Sequence, residues 1–160
     1  MDYAMAIALA GAAIATFVAG VGSSVGLSLA GKAAAGVLSE KPERYGLATL
    51  LVVLPSTQGI YGFVISLFVM LKLNIFGGGI DNLSLGTSVQ LFAGCLPVAI
   101  AGLFSGIQQG KQCASGILML AKKPEMGVKA GLLYAAMIEF YAILGFLVSL
   151  LTVMLGVKVG

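Results

Sequence analysis

Leu133-Tyr134-Ala135-Ala136-Met137-Ile138-Glu139-Phe140-Tyr141-Ala142-Ile143-Leu144-Gly145-Phe146 is an apolar run with one carboxylate in its middle. The nearest charge upstream is Lys129, ten residues away, and the next downstream is Lys158. An ionisable group at bilayer depth costs about 3 kcal/mol or more. Packing alone does not offset that cost, so Glu139 reads as an ion or proton site. The rest of the chain can be searched for what such a site needs.

The composition is that of a membrane protein. Of 160 residues, 59% are hydrophobic and 9% charged, with a mean hydropathy of +1.08; soluble domains carry about 25% charged residues. The net charge of +3 comes without a basic cluster interleaved with aromatics, so no nucleic-acid partner is expected. The N-terminal Met1-Asp2-Tyr3-Ala4 lacks a positive region, and the apolar run after it is too long for a signal segment. It is read as a mature first helix. Cys95 and Cys113 lie 18 residues apart on one expected helix. That is about 27 Å, too far to bridge, so both read as small buried hydrophobes. Without histidine or a cysteine cluster there are no ligands for zinc, haem or thiol chemistry.

Four long apolar segments predict an all-α membrane protein, one membrane domain over 1–160, with helices over about 3–38, 45–73, 86–121 and 126–157. Each exceeds the ~20 residues that span hydrocarbon. Ser39-Glu40-Lys41-Pro42-Glu43-Arg44 and Lys122-Lys123-Pro124-Glu125 form polar turns, where proline stops a helix. Between them, 74–85 reads as a loop carrying Gly77-Gly78-Gly79 and Asp81-Asn82.

The halves 1–74 and 86–160 repeat. Lys41-Pro42-Glu43 recurs as Lys123-Pro124-Glu125, and Gly62-Phe63-Val64-Ile65-Ser66-Leu67 as Gly145-Phe146-Leu147-Val148-Ser149-Leu150. Gly22, Gly26, Ala30 and Ala34 form a four-step stripe, matched 80 residues on by Gly102, Gly106, Gly110 and Ala114. Both halves begin with an odd helix and return by an even one, so the repeat is a parallel, duplicated hairpin. Small residues on one face let helices approach closely in lipid. Two readings stand: pairing within one chain, or a tight inner layer shared between subunits of a closed ring.

Basic residues set the expected orientation. Lys41, Arg44, Lys122, Lys123 and Lys129 cluster at the two Lys-Pro-Glu turns, with Lys32 and Lys111 within snorkelling reach. Lys72 and Lys158, with Asp2 and Asp81, lie at the other side. The turns are therefore expected in the cytoplasm and the termini opposite.

Depth then gathers the polar residues. Glu139 lies about a dozen residues into its helix, roughly 18 Å deep. Thr57 and Gln58 lie 12 and 13 residues after Tyr45, and Gln109 lies 12 before Ala121. A carboxylate with three neutral oxygen-bearing side chains at one level suits a hard monovalent cation; a proton needs only the carboxylate. The bland alternative is interhelical hydrogen-bond glue, worth about 0.6 kcal/mol each. Pro55 frees a backbone carbonyl nearby, expected to be that of Leu51, whereas Pro97 reads as a kink. Under the 83-residue offset Glu139 corresponds to Ser56, so one carboxylate serves four helices.

Leu54-Pro55-Ser56-Thr57-Gln58-Gly59-Ile60-Tyr61-Gly62, Gly106-Ile107-Gln108-Gln109-Gly110-Lys111 and Ala136-Met137-Ile138-Glu139 resemble the proteolipid (c or K) subunit of V-type ATPases, with the sodium-translocating bacterial members most alike. The resemblance covers essentially the whole chain. It implies a non-catalytic subunit in a rotor ring of identical copies in a bacterial cell membrane. It also implies a membrane stator subunit with an arginine, and a central-stalk subunit at the cytoplasmic turns. It implies Na⁺ as the transported ion, bound by Glu139, Thr57, Gln58, Gln109 and the Leu54 carbonyl, with Tyr61 bonding the carboxylate. Ser56 departs from the glycine that the family pattern carries there. The same ring carrying H⁺ is the close alternative. A small four-helix exporter using Glu139 is the distant one, and it leaves the glycine stripes unexplained. A structural membrane protein with an accidental buried acid is a third.

Overall fold

The computed structural model describes residues 3–80 and 83–158; Asp2, Asp81 and Asn82 lie outside the described residues. Helix α1 spans Tyr3–Glu40. A 3-10 turn, Pro42–Arg44, leads into α2, Tyr45–Val53. A second 3-10 turn, Leu54–Ser56, joins α2 to α3, Thr57–Lys72. Helix α4 spans Leu85–Lys122, and α5 spans Pro124–Leu151 and ends in a π-turn, Thr152–Gly156. Among the described residues, four stretches are long and apolar enough to cross a membrane: Tyr3–Glu40, Pro42–Gly77, Leu85–Lys122 and Pro124–Gly156. The protein is thus a four-span, all-α membrane protein built from two hairpins. At 38 residues, about 57 Å, α1 and α4 outreach a hydrocarbon core of about 30 Å.

Helix ends differ from expectation by a few residues, and proline explains one of the shifts. Pro124 occupies the first position of α5, where its missing N–H costs nothing, so that helix starts before Met126. Likewise, proline breaks the second span. Pro55 has no N–H to donate, and the backbone answers by tightening to a 3-10 turn in which Thr57 N–H bonds the Leu54 carbonyl.

Helices α1 and α4 make the most extensive contact, with α3 against α1 and α5 against α4. The small-residue stripes meet each other inside the chain. A Cβ built on Gly22 would lie 2.5 Å from the Gly102 carbonyl oxygen and 2.6 Å from Leu103 Cα. One built on Gly106 would lie 2.7 Å from the Gly22 carbonyl carbon, and one on Gly110 would strike the Gly26 backbone. These five glycines therefore make their close contact within one chain, the first of the two readings, and not across a boundary between subunits. The 80-residue spacing is that of facing partners in parallel helices. The repeat offset is 82: α1 and α4 start at Tyr3 and Leu85 and end at Glu40 and Lys122. It becomes 83 at Gly62 and Gly145. The 3-10 turn accounts for the step: three residues rising about 2.0 Å each gain about 1.5 Å over α-helix, one residue's rise.

Backbone N–H groups near the two interior prolines donate to serines from other helices. Gly59 N–H donates to Ser23 Oγ on α1 at 2.8 Å, and Val98 N–H, next to Pro97, donates to Ser149 Oγ on α5 at 3.0 Å. The carbonyl ends of the spans are capped across hairpins. Lys41 Nζ donates to the Ala121 carbonyl, and Lys72 Nζ to the carbonyls of Val153, at 2.7 Å, and Met154, at 3.1 Å. Both cysteines are free and buried.

The core divides into two apolar clusters. One, at the chain-terminal end, centres on Ala8, Ile65, Val69, Leu91 and Val153. The other, towards the Lys-Pro-Glu turns, centres on Ala30, Leu51, Ile117, Leu120 and Ala135. Polar side chains from α3, α4 and α5 lie between them. Ser149 is fully buried, so Ser149→Ala removes one buried bond between α4 and α5. The expected cost is about 0.6 kcal/mol, measured as reduced resistance to SDS-induced unfolding in bilayer-like micelles.

Candidate functional site: a carboxylate with four donors

Each site residue owes its position to a local feature. Thr57 and Gln58 begin α3 directly after the 3-10 turn, which swings their side chains towards α5. Tyr61 follows Thr57 by four residues, on the same helical face. Gln109 projects from the glycine-lined part of α4, and Glu139 lies mid-way along α5.

Together they enclose the carboxylate. Tyr61 OH donates to Glu139 Oε1 at 2.6 Å. The other oxygen, Oε2, accepts from Thr57 Oγ1 at 2.9 Å, Gln58 Nε2 at 3.1 Å and Gln109 Nε2 at 2.8 Å. The amides are themselves held: Gln58 Nε2 donates to Gln109 Oε1 at 2.7 Å, and Gln109 Nε2 to the Ala135 carbonyl at 3.0 Å. Gln58 and Gln109 are fully buried, while Glu139 is half-buried beside the exposed Phe140 and Tyr141. The site therefore lies under the outer surface of the α3/α5 pair. The Tyr61 ring packs on Phe146, with ring centroids 5.2 Å apart.

Donors and acceptors do not balance. The Thr57 hydroxyl has one proton and two acceptors in reach, Glu139 Oε2 and the Leu54 carbonyl at 3.2 Å. Gln58 Oε1 is buried and has no hydrogen-bond partner. A buried, unpartnered amide oxygen costs about 1–3 kcal/mol. The layer thus holds one negative charge and surplus oxygen lone pairs, the donor set that suits a hard cation without nitrogen or sulfur ligands.

All six residues singled out from the sequence meet here: Glu139, Thr57, Gln58, Gln109, Tyr61 and Leu54. The Leu54 carbonyl meets the site through the Thr57 hydroxyl, 3.2 Å away, and also accepts the Thr57 N–H of the 3-10 turn. Ser56 turns away and bonds the Val53 carbonyl at 2.6 Å. Two contributors were missed. The Ala135 carbonyl orients Gln109, and its signal was one helical turn of spacing from Glu139. Ser23 pins the start of α3 through Gly59, and its signal was a small polar residue between Gly22 and Gly26 on the striped part of α1.

A four-span helical membrane protein with one hydrogen-bonded carboxylate at mid-depth is the class these features define. The family profile for the C subunit of ATP synthase matches residues 10–69 and again residues 92–152. The chain belongs to that family of ring-forming, non-catalytic proteolipid subunits. It is 43% identical, over 96% of its length and 98% of the relative's, to the V-type sodium ATPase subunit K of Enterococcus hirae. It is 31% identical over 88% of its length to the A-type ATP synthase subunit K of Methanocaldococcus jannaschii, of which it spans 59%.

Tyr61→Phe removes the only side-chain donor to Glu139 Oε1 among the described residues. Infrared difference spectra should then show the Glu139 carboxylate stretching bands shifted. Bands identical to the parent's would mean that Oε1 takes no bond from Tyr61.

Proposed function

We propose that this chain carries Na⁺ on Glu139 as one of the identical subunits of a rotor ring, within the membrane sector of a rotary ATPase. The observation that carries the reading is the unpartnered Gln58 Oε1, on the same amide that donates to Glu139. A proton delivered to Glu139 neutralises the carboxylate but leaves the acceptors in excess. A cation neutralises the carboxylate and takes up oxygen lone pairs together. Glu139, Thr57, Gln58, Gln109 and the Leu54 carbonyl are the ligand set; Tyr61 holds the carboxylate from the outer side. The sodium in the name of the Enterococcus hirae relative supports the same choice. H⁺ in place of Na⁺ is the second reading.

The chemistry follows from charge. With Na⁺ bound the site is neutral, and a half-buried neutral site can pass through lipid at low cost. Emptied, Glu139 is a carboxylate that hydrocarbon rejects by about 3 kcal/mol or more. A stator subunit offering an arginine competes for the carboxylate and releases the ion, so rotation and transport are coupled. The protein supplies no bond-breaking step. Residues 1–74 and 86–160 act as one membrane unit with the termini on the outer side. The Lys-Pro-Glu turns face the cytoplasm of a bacterial cell, where the central stalk seats on them.

Carbodiimide labelling of Glu139 tests the ion. Near neutral pH, Na⁺ should protect Glu139. Thr57→Ala and Gln58→Leu should each raise the Na⁺ concentration needed by about tenfold, the worth of one ligand at about 1.4 kcal/mol. Labelling indifferent to Na⁺ overturns the sodium reading and leaves the proton one.

A further inference from the structure

The internal repeat indicates what covers an open groove on this molecule. Between α4 and α5 lies a groove of about 470 Å³, lined on α4 by Ala101, Phe104, Ser105 and Gln108 and on α5 by Ile138 and Tyr141. Under the repeat offsets of 82 and 83, these correspond to Ala19, Gly22, Ser23, Gly26, Pro55 and Gln58. In the first half that same surface is occupied: it holds the Gly102, Gly106 and Gly110 edge of α4. Gly102 lies against Ala19 and the Gln58 Cβ, and Gly106 against Gly22 and Ser23. The counterparts of that edge are Gly20, Ser24 and Ser28 on α1. Ser24 and Ser28 are exposed, and a Cβ built on Gly20 meets nothing within 4 Å. The chain therefore carries one filled copy of this contact, and both halves of a second copy unfilled at opposite sides.

A polar anchor follows the same rule. Lys41 caps the carbonyl end of α4 at Ala121. Its counterpart is Lys123, and the counterpart of Ala121 is Ser39 at the end of α1; both are exposed. The last turn of α1 has no basic residue of its own. A cation there is favoured by the helix dipole and by unpaired carbonyls.

We propose that the α4/α5 groove receives the outer edge of α1 from a second copy of this chain, with Lys123 capping that copy's α1. The register places the second copy's Gly20 on Ala101 and Tyr141, its Ser24 on Phe104 and Ser105, and its Ser39 carbonyl on Lys123. Phe104 and Gln108 stand where the first half has Gly22 and Gly26, so the contact between copies is wider than the one within a copy. The proposal rests on the ring reading and specifies its seam.

The test uses the full chain in native membranes. Ser24→Cys combined with Phe104→Cys should give, on mild oxidation, a ladder of covalently joined chains. Leu133→Cys with Phe104→Cys, placed at a different depth, should stay unlinked. Lys123→Gln should lower the ring-to-monomer ratio in detergent about tenfold, as expected for losing one hydrogen bond to a charged group, and Lys123→Arg should restore it. An intact oligomer without the ladder overturns this register and leaves the ring standing. An oligomer with the ladder but indifferent to Lys123→Gln overturns the lysine cap. A chain that stays monomeric in membranes sinks both the proposal and the ring reading.

Discussion

Everything here depends on holding one carboxylate, Glu139, in a place that water does not reach freely. Four side-chain donors on two other helices do it, and they must arrive at one height and one face. That geometry is possible because α1 and α4 approach to backbone contact at Gly22, Gly26, Gly102 and Gly106. Helix α3, resting on α1, is thereby brought near α5, resting on α4. Bulk added at the glycine seam would separate Thr57, Gln58 and Tyr61 from Glu139, even though no glycine touches the carboxylate.

The apolar clusters above and below serve the same end. They exclude competing water from the polar layer and leave the hydrogen bonds inside it in a low-dielectric setting, where each is worth more. The same setting makes an unanswered lone pair expensive. Gln58 Oε1 is such a lone pair, buried and without a hydrogen-bond partner.

Much of this was legible in the sequence. Counting from the proline-marked turns put Glu139, Thr57, Gln58 and Gln109 at one depth, because α-helical rise is regular and the turns are sharp. The small-residue stripes correctly signalled close packing. Their partner was not legible: facing residues 80 apart and repeat-equivalent residues 82 apart look alike in a sequence rich in Gly, Ala and Ser. The place of the Leu54 carbonyl beside Thr57 was implied by the family resemblance, whereas proline geometry alone pointed to Leu51. A proline announces that a helix is broken, but not whether the backbone kinks or tightens into a 3-10 turn. The unpaired oxygen of Gln58 depends on amide orientation, which residue identity does not encode.

Lys41 and Lys72 reach from the first hairpin to carbonyl ends in the second, at opposite ends of the molecule. They act as end stops. Sliding one hairpin along the other by a helical turn would strip both caps at once, in either direction. A load along the helix axes shears the glycine seam, where smooth surfaces offer little resistance. The two lysines supply that resistance, and so keep Thr57 and Gln58 level with Glu139.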